Sequence, residues 1–337
     1  GYVWPPDEIP NWDPSEFHQV SAPALLYIVE ALSRRKALGL PFFTLLSCDN
    51  LASNGTTLKT AIVELAKHKA PGFAAELETE LACPCTMVDR IVPQPSPDDL
   101  AQVATRLGVE DRAAIVTEPF GQWIIEDNFP LGRPDWSICD GVTFASNVTP
   151  FEEIKLRLLN GAHTLIALYG QLTGLSYVNE VMQSDVVLNF LQRFWENASQ
   201  TLDVPVDLRG YREQLIARFE NDRLLHKTAQ IASDTSQKLP QRILDPLLLL
   251  RAQGAETKAH STVIALWFEF LRTAQTVVDP RAAYLTALAR QADLPSFLEQ
   301  SQTFPESICS DAALTREIEG QHRRLREDGI DASLQLS

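Results

Sequence analysis

From Thr149 to the C-terminus the chain repeats its apolar residues at helical spacing, with stretches near 149–173, 185–202, 207–221, 241–253, 259–275, 280–292 and 311–328 and almost no strand signal. Apolar stripes on so many helices can be buried only against one another, so 149–337 is predicted to be an all-helical domain. Residues 1–148 read differently. Trp4, Pro5, Pro6, Pro10, Trp12 and Pro14 cannot propagate a helix or a central strand, which makes 1–22 a loop or arm. An amphipathic helix is expected over 24–38, with Leu25, Ile28, Val29 and Leu32 inward and Arg34, Arg35 and Lys36 near its negative end, stopped by Gly39 and Pro41. The apolar run Phe42–Ser47 predicts a strand buried on both faces, and a helix leading into such a strand points to a parallel α/β arrangement. A helix over 56–69, extended chain over 85–92, a capped helix from Ser96-Pro97-Asp98-Asp99 to about Leu107, and strands at 113–117 and 123–125 complete this half. Glu118 and Trp123 stand between the last two and are expected only to pack.

The 337 residues are enough for two domains at about 150 residues each. With 29 basic against 44 acidic residues the net charge is −15, and no basic run exceeds His322-Arg323-Arg324, which argues against nucleic acid or an anionic membrane as partner. No run of 18 apolar residues and no basic-then-apolar leader is present, so neither a membrane span nor a secretory signal is indicated. The five cysteines are odd in number and irregular in spacing, and Cys83-Pro84-Cys85 is too short for a CxxC pair. Reduced thiols in a cytoplasmic protein are expected, and no zinc. The histidines at 18, 68, 226, 260 and 322 have no ligating spacing and are assigned structural roles, so no metal is expected.

Chemistry is expected on the first long helix. Thr149 and Glu152 form a capping-box pattern with Pro150 at the first helical position. At about 100° per residue, Lys155, Asn160 and His163 fall within an arc of roughly 140°, so one broad face can show all three to a common space. An ammonium, an amide and an imidazole together suit an oxygen-rich substrate. The rival is a packed helix with three incidental polar groups, but Leu156, Leu158, Leu159, Ala162, Leu165, Ile166, Ala167 and Leu168 surround them. A lysine in such apolar company is paired or functional. Asn50 and Asn54 follow the predicted strand 42–47, where open α/β sheets bind ligands; Asn54-Gly55 reads first as turn chemistry, and Asn50 stays open between the two. Asp89 is either the partner of Arg90 or aimed into a cleft from a strand end. No two glycines are separated by a single residue, the closest pair being Gly170 and Gly174, so the turn that cradles a dinucleotide pyrophosphate is missing. The fold expected is α/β plus all-α: the latter part of a Rossmann-like nucleotide-binding domain, 1–148, followed by a multi-helix C-terminal domain, 149–337. No repeat is found, and the charge-dense Arg316–Asp328 is read as a solvated helix.

Four ordered runs carry a resemblance: Ser47-Cys48-Asp49-Asn50 with Asn54-Gly55; Thr86-Met87-Val88-Asp89-Arg90-Ile91; Thr117-Glu118-Pro119-Phe120 with Gln122-Trp123-Ile124-Ile125-Glu126-Asp127; and Lys155-x4-Asn160-x2-His163. Together they resemble the mannitol dehydrogenase family of polyol-specific long-chain dehydrogenases, over nearly the whole chain. Gln237-Lys238-Leu239-Pro240-Gln241-Arg242 looks more like the fructuronate reductase (D-mannonate oxidoreductase) branch than the mannitol branch. Members carry a Gly-rich Rossmann unit at the N-terminus, and this sequence is expected to begin after it. The resemblance implies an NAD-dependent oxidoreductase, with NADP as the alternative cofactor. It would interconvert a secondary alcohol and a ketone of a sugar acid or polyol, D-mannonate and D-fructuronate first, mannitol or arabinitol second. It also implies residue roles. Lys155 matches the catalytic lysine, Asn160 and His163 the helix-borne asparagine and histidine, Asn50 the oxyanion-stabilising asparagine, and Asp89 and Lys238 substrate contacts. The chain departs from mannitol-type members at Gln230, where they have arginine, and at Thr235, where glycine is common. A truncated, non-catalytic member serving as a binding or assembly module is the rival from another class.

Overall fold

The computed structural model describes residues 23–204 and 206–335, so the arm assigned to 1–22 lies outside the described residues. The chain divides into two compact units, one holding the chain up to Arg90 together with Pro119–Glu152, the other Ile91–Glu118 together with Glu153 onward.

In the first unit α1 (Pro23–Ala37), α2 (Asn54–Lys69) and α3 (Pro71–Glu80) build a small core in which Val29, Leu32, Ile62 and Leu77 are fully buried. The amphipathic reading of α1 holds, with Leu25, Val29 and Leu32 inward. α3 has no counterpart in the sequence reading; Pro71 at its first position presets the helix. Phe42–Ser47 is not a strand. Five of these six residues are half-buried, and the one backbone ladder contact they make among the described residues is Leu45 N–H to the Ala82 carbonyl, at 3.0 Å. A strand needs a paired edge, and apolar composition alone does not supply one.

Among the described residues the sheet has three strands, β1 (Thr86–Asp89), β2 (Gln122–Glu126) and β3 (Val142–Ala145), in the order β1-β2-β3. It is mixed rather than parallel: β1 runs antiparallel to β2, with Thr86 opposite Ile125, and β2 parallel to β3, with Trp123 opposite Val142. β3 has no counterpart in the sequence reading, because four residues next to a Gly, three half-buried and Thr143 exposed, carry too little apolar signal. The β2–β3 crossover folds over its own aromatics. Trp136 stacks on Trp123 and Phe144 at 5.6 and 6.4 Å, and Arg133 lies 3.3 Å from the Phe144 ring centre while gripping Asp127 with both arms.

In the second unit the segment Ile91–Glu118 contains α4 (Pro97–Leu107), whose start is the predicted capping box: Ser96 Oγ accepts from Asp99 N–H, and the Asp99 carboxylate accepts from Ser96 N–H at 2.8 Å. The strand expected at 113–117 is absent; these residues run as coil, and Glu118 N–H finds the Ile91 carbonyl instead of a ladder. The long helix is α5 (Thr149–Ile154), counted with the first unit up to Glu152, continued by α6 (Gly161–Thr173). Its first turn bonds to the Val148 carbonyl, and Asn147 Oδ1 accepts from Thr149 N–H, so the cap lies just ahead of the predicted one. The Glu152 carboxylate accepts from Ser53 N–H. Short helices α7 (Val178–Val181), α10 (Thr228–Ala232) and α11 (Thr235–Leu239) join the longer α8 (Asp185–Ser199), α9 (Leu208–Phe219) and α12 (Asp245–Ala252). The rest is α13 (Lys258–Thr273), α14 (Ala282–Gln291), α15 (Leu294–Gln300), α16 (Glu306–Cys309), α17 (Ala312–Glu327) and α18 (Ile330–Leu334). One core serves this unit, centred on α6 and α13 and including Phe190, Trp195, Trp267 and Phe297, all buried.

Candidate active site

Between α5 and α6 the helix is not α-helical: Lys155–Asn160 form a π turn. Pairing i→i+5 turns each residue through about 80°, so Lys155 and Asn160, five apart, are offset by about 50° instead of the roughly 140° of an α-helix. The residue after the turn is Gly161. A Cβ there would stand 2.9 Å from Phe194 Cζ and 3.3 Å from the Arg242 carbonyl oxygen, so only glycine admits the neighbouring chain. That neighbour is a second π turn, Pro240–Leu244, packed against the first. Pro246 has no N–H to give the Arg242 carbonyl four residues back, which breaks the α register here.

Asn160 is 6 % exposed, and its Nδ2 is buried without a partner. Its carbonyl accepts from Thr164 Oγ1 at 3.0 Å and from Arg242 Nη1 at 3.4 Å, and Arg242 also reaches Thr164 Oγ1 at 3.2 Å. His163, equally buried, lies against Phe219 with ring centres 4.6 Å apart and meets His226 edge to face at 5.4 Å; its Nε2 has no partner. Burial first, then the charges of His226, Arg242 and Arg218, holds His163 well below the ordinary imidazole value, while burial and Lys238 lower His226 to about 4. Both rings are therefore neutral at pH 7. Lys238 is half-buried, its ammonium donating to the carbonyls of Ile231 and Ser233; burial and then Arg242 lower its pKa, and burial takes Arg242 to about 10. Behind Phe219, Arg218 and Glu118 form a buried two-armed ion pair at 2.8 and 3.0 Å, and Glu118 also accepts the Ile91 N–H at 2.6 Å.

Asn160, His163 and Lys238 are thus gathered around Arg242 and His226, with Lys155 half-buried at the head of the π turn. Asn50 and Asp89 belong to the other unit. Asn50 is exposed in the loop before α2. That loop is held by Asn54, whose Nδ2 reaches the Ser47, Asp49 and Thr86 carbonyls at 2.9–3.1 Å and whose Oδ1 accepts from Thr86 N–H. Asn54 is therefore a structural clamp, although Asn54-Gly55 opens α2 and does not form the turn read from the sequence. Asp89 ends β1 opposite Gln122 and is 2 % exposed; the neighbouring Arg90 turns instead to the Phe120 carbonyl at 2.8 Å. Sequence reading gave His226 a structural role, expected Glu118 only to pack, and did not pair Glu118 with Arg218. Their partners lie 63 and 100 residues away along the chain, and no local spacing announces them. Among the described residues no three His, Cys, Asp or Glu gather to hold a metal ion, and no helix is long and apolar enough to cross a membrane.

Residues 19–138 match the model of the mannitol dehydrogenase Rossmann domain, and residues 147–326 that of the mannitol dehydrogenase C-terminal domain. The chain belongs to the mannitol dehydrogenase family. Among curated members, the D-mannonate oxidoreductase of Escherichia coli (strain K12) is 40% identical over 324 residues, which are 91% of this chain and 65% of that protein. A mannitol 2-dehydrogenase of Aspergillus clavatus is 35% identical over 318 residues, 90% of this chain and 63% of its own length. The chain therefore spans a little under two thirds of each. Among solved structures of the family, the ternary complex of Pseudomonas fluorescens mannitol 2-dehydrogenase with NAD and D-mannitol superposes with a TM-score of 0.83 at 29% identity, covering 96% of this chain and 69% of that one. The fold is accordingly a Rossmann-like domain with a helical C-terminal domain. Of the two departures from mannitol-type members, Gln230 accepts a backbone N–H from Gln94 at 3.4 Å. Thr235 needs no glycine, because the left-handed residue, φ 52°, is Asp234 before it, and Thr235 Oγ1 donates to the Ala232 carbonyl.

Proposed function

We propose that the chain carries the substrate side of an NAD(P)-dependent oxidoreductase that interconverts a secondary alcohol and a ketone, with D-mannonate and D-fructuronate as the preferred pair. In this reading 1–148 is the latter part of the nucleotide-binding domain and 149–337 the substrate and catalytic domain. The observation that carries it is the π turn, which sets Lys155 beside a buried Asn160 amide and is followed by a buried His163 nitrogen, the last two without a protein partner. Buried donors left open in this way suit a ligand rich in oxygen. Lys155 takes the hydroxyl proton in oxidation and returns it in reduction. Asn160 Nδ2 donates to the same oxygen as negative charge develops on it, Asn50 is the second donor, and neutral His163 orients an adjacent hydroxyl. Asp89 contacts the substrate chain. No metal enters the scheme. The residues here include no closely spaced glycines to cradle a pyrophosphate, so the dinucleotide is not placed; when bound, its nicotinamide supplies the hydride acceptor.

Arg242, still cationic at pH 7 with a pKa of about 10, and the basic Lys238 side chain beside it favour an acidic sugar over a neutral polyol. The relative of 40% identity supports the same preference, and the mannitol-named relatives support mannitol or arabinitol as second choice. Steady-state kinetics of the complete gene product decide: kcat/KM for D-mannonate should exceed that for mannitol by at least about tenfold, the worth of roughly 1.4 kcal/mol. A mannitol value well above the mannonate value removes the sugar-acid assignment.

A further inference from the structure

A second concentration of cations, unused by this chemistry, lies elsewhere in the helical unit. α13, α15 and α17 line a cavity of about 550 Å³ to which Arg272, Arg316, Arg323 and Arg326 contribute, against the carboxylates of Asp293 and Glu319. In a protein of net charge −15 this wall carries two more arginines than carboxylates. The charge-dense helix read from the sequence as solvated keeps Arg316, Arg323 and Arg326 exposed.

The arrangement has a shape. Arg316, Gly320 and Arg323 recur at i, i+4 and i+7 of α17, within an arc of roughly 60°. A Cβ at Gly320 would meet nothing within 4 Å, so the glycine leaves an open notch between two guanidinium stems. Arg272 of α13 and His322 of α17 share one carboxylate, Glu269, at 3.7 and 2.7 Å, and the Arg272 guanidinium lies 5.3 Å from the Phe268 ring. Asp293 is engaged in capping α15, accepting Ser296 N–H at 2.9 Å. Among the described residues, Arg316, Arg323 and Arg326 have no carboxylate within ion-pair distance. These three are exposed, and with Arg272 they give one concavity an excess of positive charge that draws an anion. A lone carboxylate saturates one planar guanidinium fork, whereas a phosphoryl group offers three terminal oxygens to several forks at once. We propose that this cavity binds a small molecule bearing one or more phosphoryl groups, seated in the Gly320 notch between Arg316 and Arg323.

The test does not depend on the redox reading. Inorganic pyrophosphate is titrated into the protein by calorimetry at low ionic strength and pH 7, and the expected Kd is below about 1 mM. Arg316→Gln/Arg323→Gln should weaken binding at least about tenfold, and so should Gly320→Leu, which keeps every charge and fills the notch. Arg209→Gln/Arg223→Gln removes the same formal charge from well-exposed side chains and should bind as the unaltered protein does. Citrate, anionic through carboxylates alone, should bind at least about tenfold more weakly than pyrophosphate. The proposal is overturned by absence of pyrophosphate binding, by full affinity in either cavity variant, by equal loss in the Arg209/Arg223 control, or by citrate binding as tightly.

Discussion

At the scale of single residues the site was partly legible. Lys155, Asn160 and His163 could be found because three polar groups interrupt an otherwise apolar helix, and such an interruption demands a reason. The structure supplies the burial and the open nitrogens of Asn160 and His163. His226 could not be found this way. A histidine in a loop is unremarkable until the fold sets it edge-on to another ring. If Lys155 is the acid/base group, Lys155→Ala in the complete enzyme should lose on the order of 10²–10⁴-fold in turnover. Its thermal unfolding should change little, since a half-buried ammonium costs desolvation to keep. Turnover against pH alongside a melting curve tests both; a variant that keeps near-normal turnover, or whose activity loss follows unfolding, removes the assignment.

Elements were legible where their signal was local. The α4 box at Ser96 and Asp99 and the helices of the second half follow from capping chemistry and period, and β1 and β2 from extended apolar runs. Phe42–Ser47 and 113–117 looked like strands for the same reason and are not, because strand status is decided by a partner edge that sequence does not display. The same blindness hid Glu118, expected only to pack. It ties the segment Ile91–Glu118 to α9 through Arg218, and both side chains are at most 8 % exposed. Glu118→Gln keeps the shape and removes the charge, leaving a buried guanidinium uncompensated. Urea unfolding should show a loss of about 3–5 kcal/mol. A loss under about 1 kcal/mol would mean that water already reaches the pair.

For the molecule as a whole, buried neutral imidazoles should set the acid limit. His260 is fully buried between core helices, stacked on Phe194 at 4.7 Å with both ring nitrogens unpartnered, and burial lowers its pKa to about 3. The unfolded chain, with imidazoles near 6.5, then binds more protons than the folded one between about pH 6.5 and pH 3. Stability is whole above this window and falls as pH falls through it, with His226 and His163 acting in the same sense. His260→Leu should flatten the dependence of the melting temperature on pH between 6.5 and 4; an unchanged slope assigns the acid sensitivity elsewhere. The π turn at Lys155–Asn160 has a consequence that shows at the level of the gene. Widening one turn from i→i+4 to i→i+5 spends one amino acid that a plain α-helix would not use. Removing a single codon within 156–159 should therefore let the helix close into uniform α register and melt no lower than before, with Lys155 and Asn160 then four apart and about 40° from each other on one face. A library of one-residue deletions, scored for soluble protein and for activity, should show both scores surviving here and falling together in the regular turns on either side, where losing a residue rotates everything beyond it by about 100°.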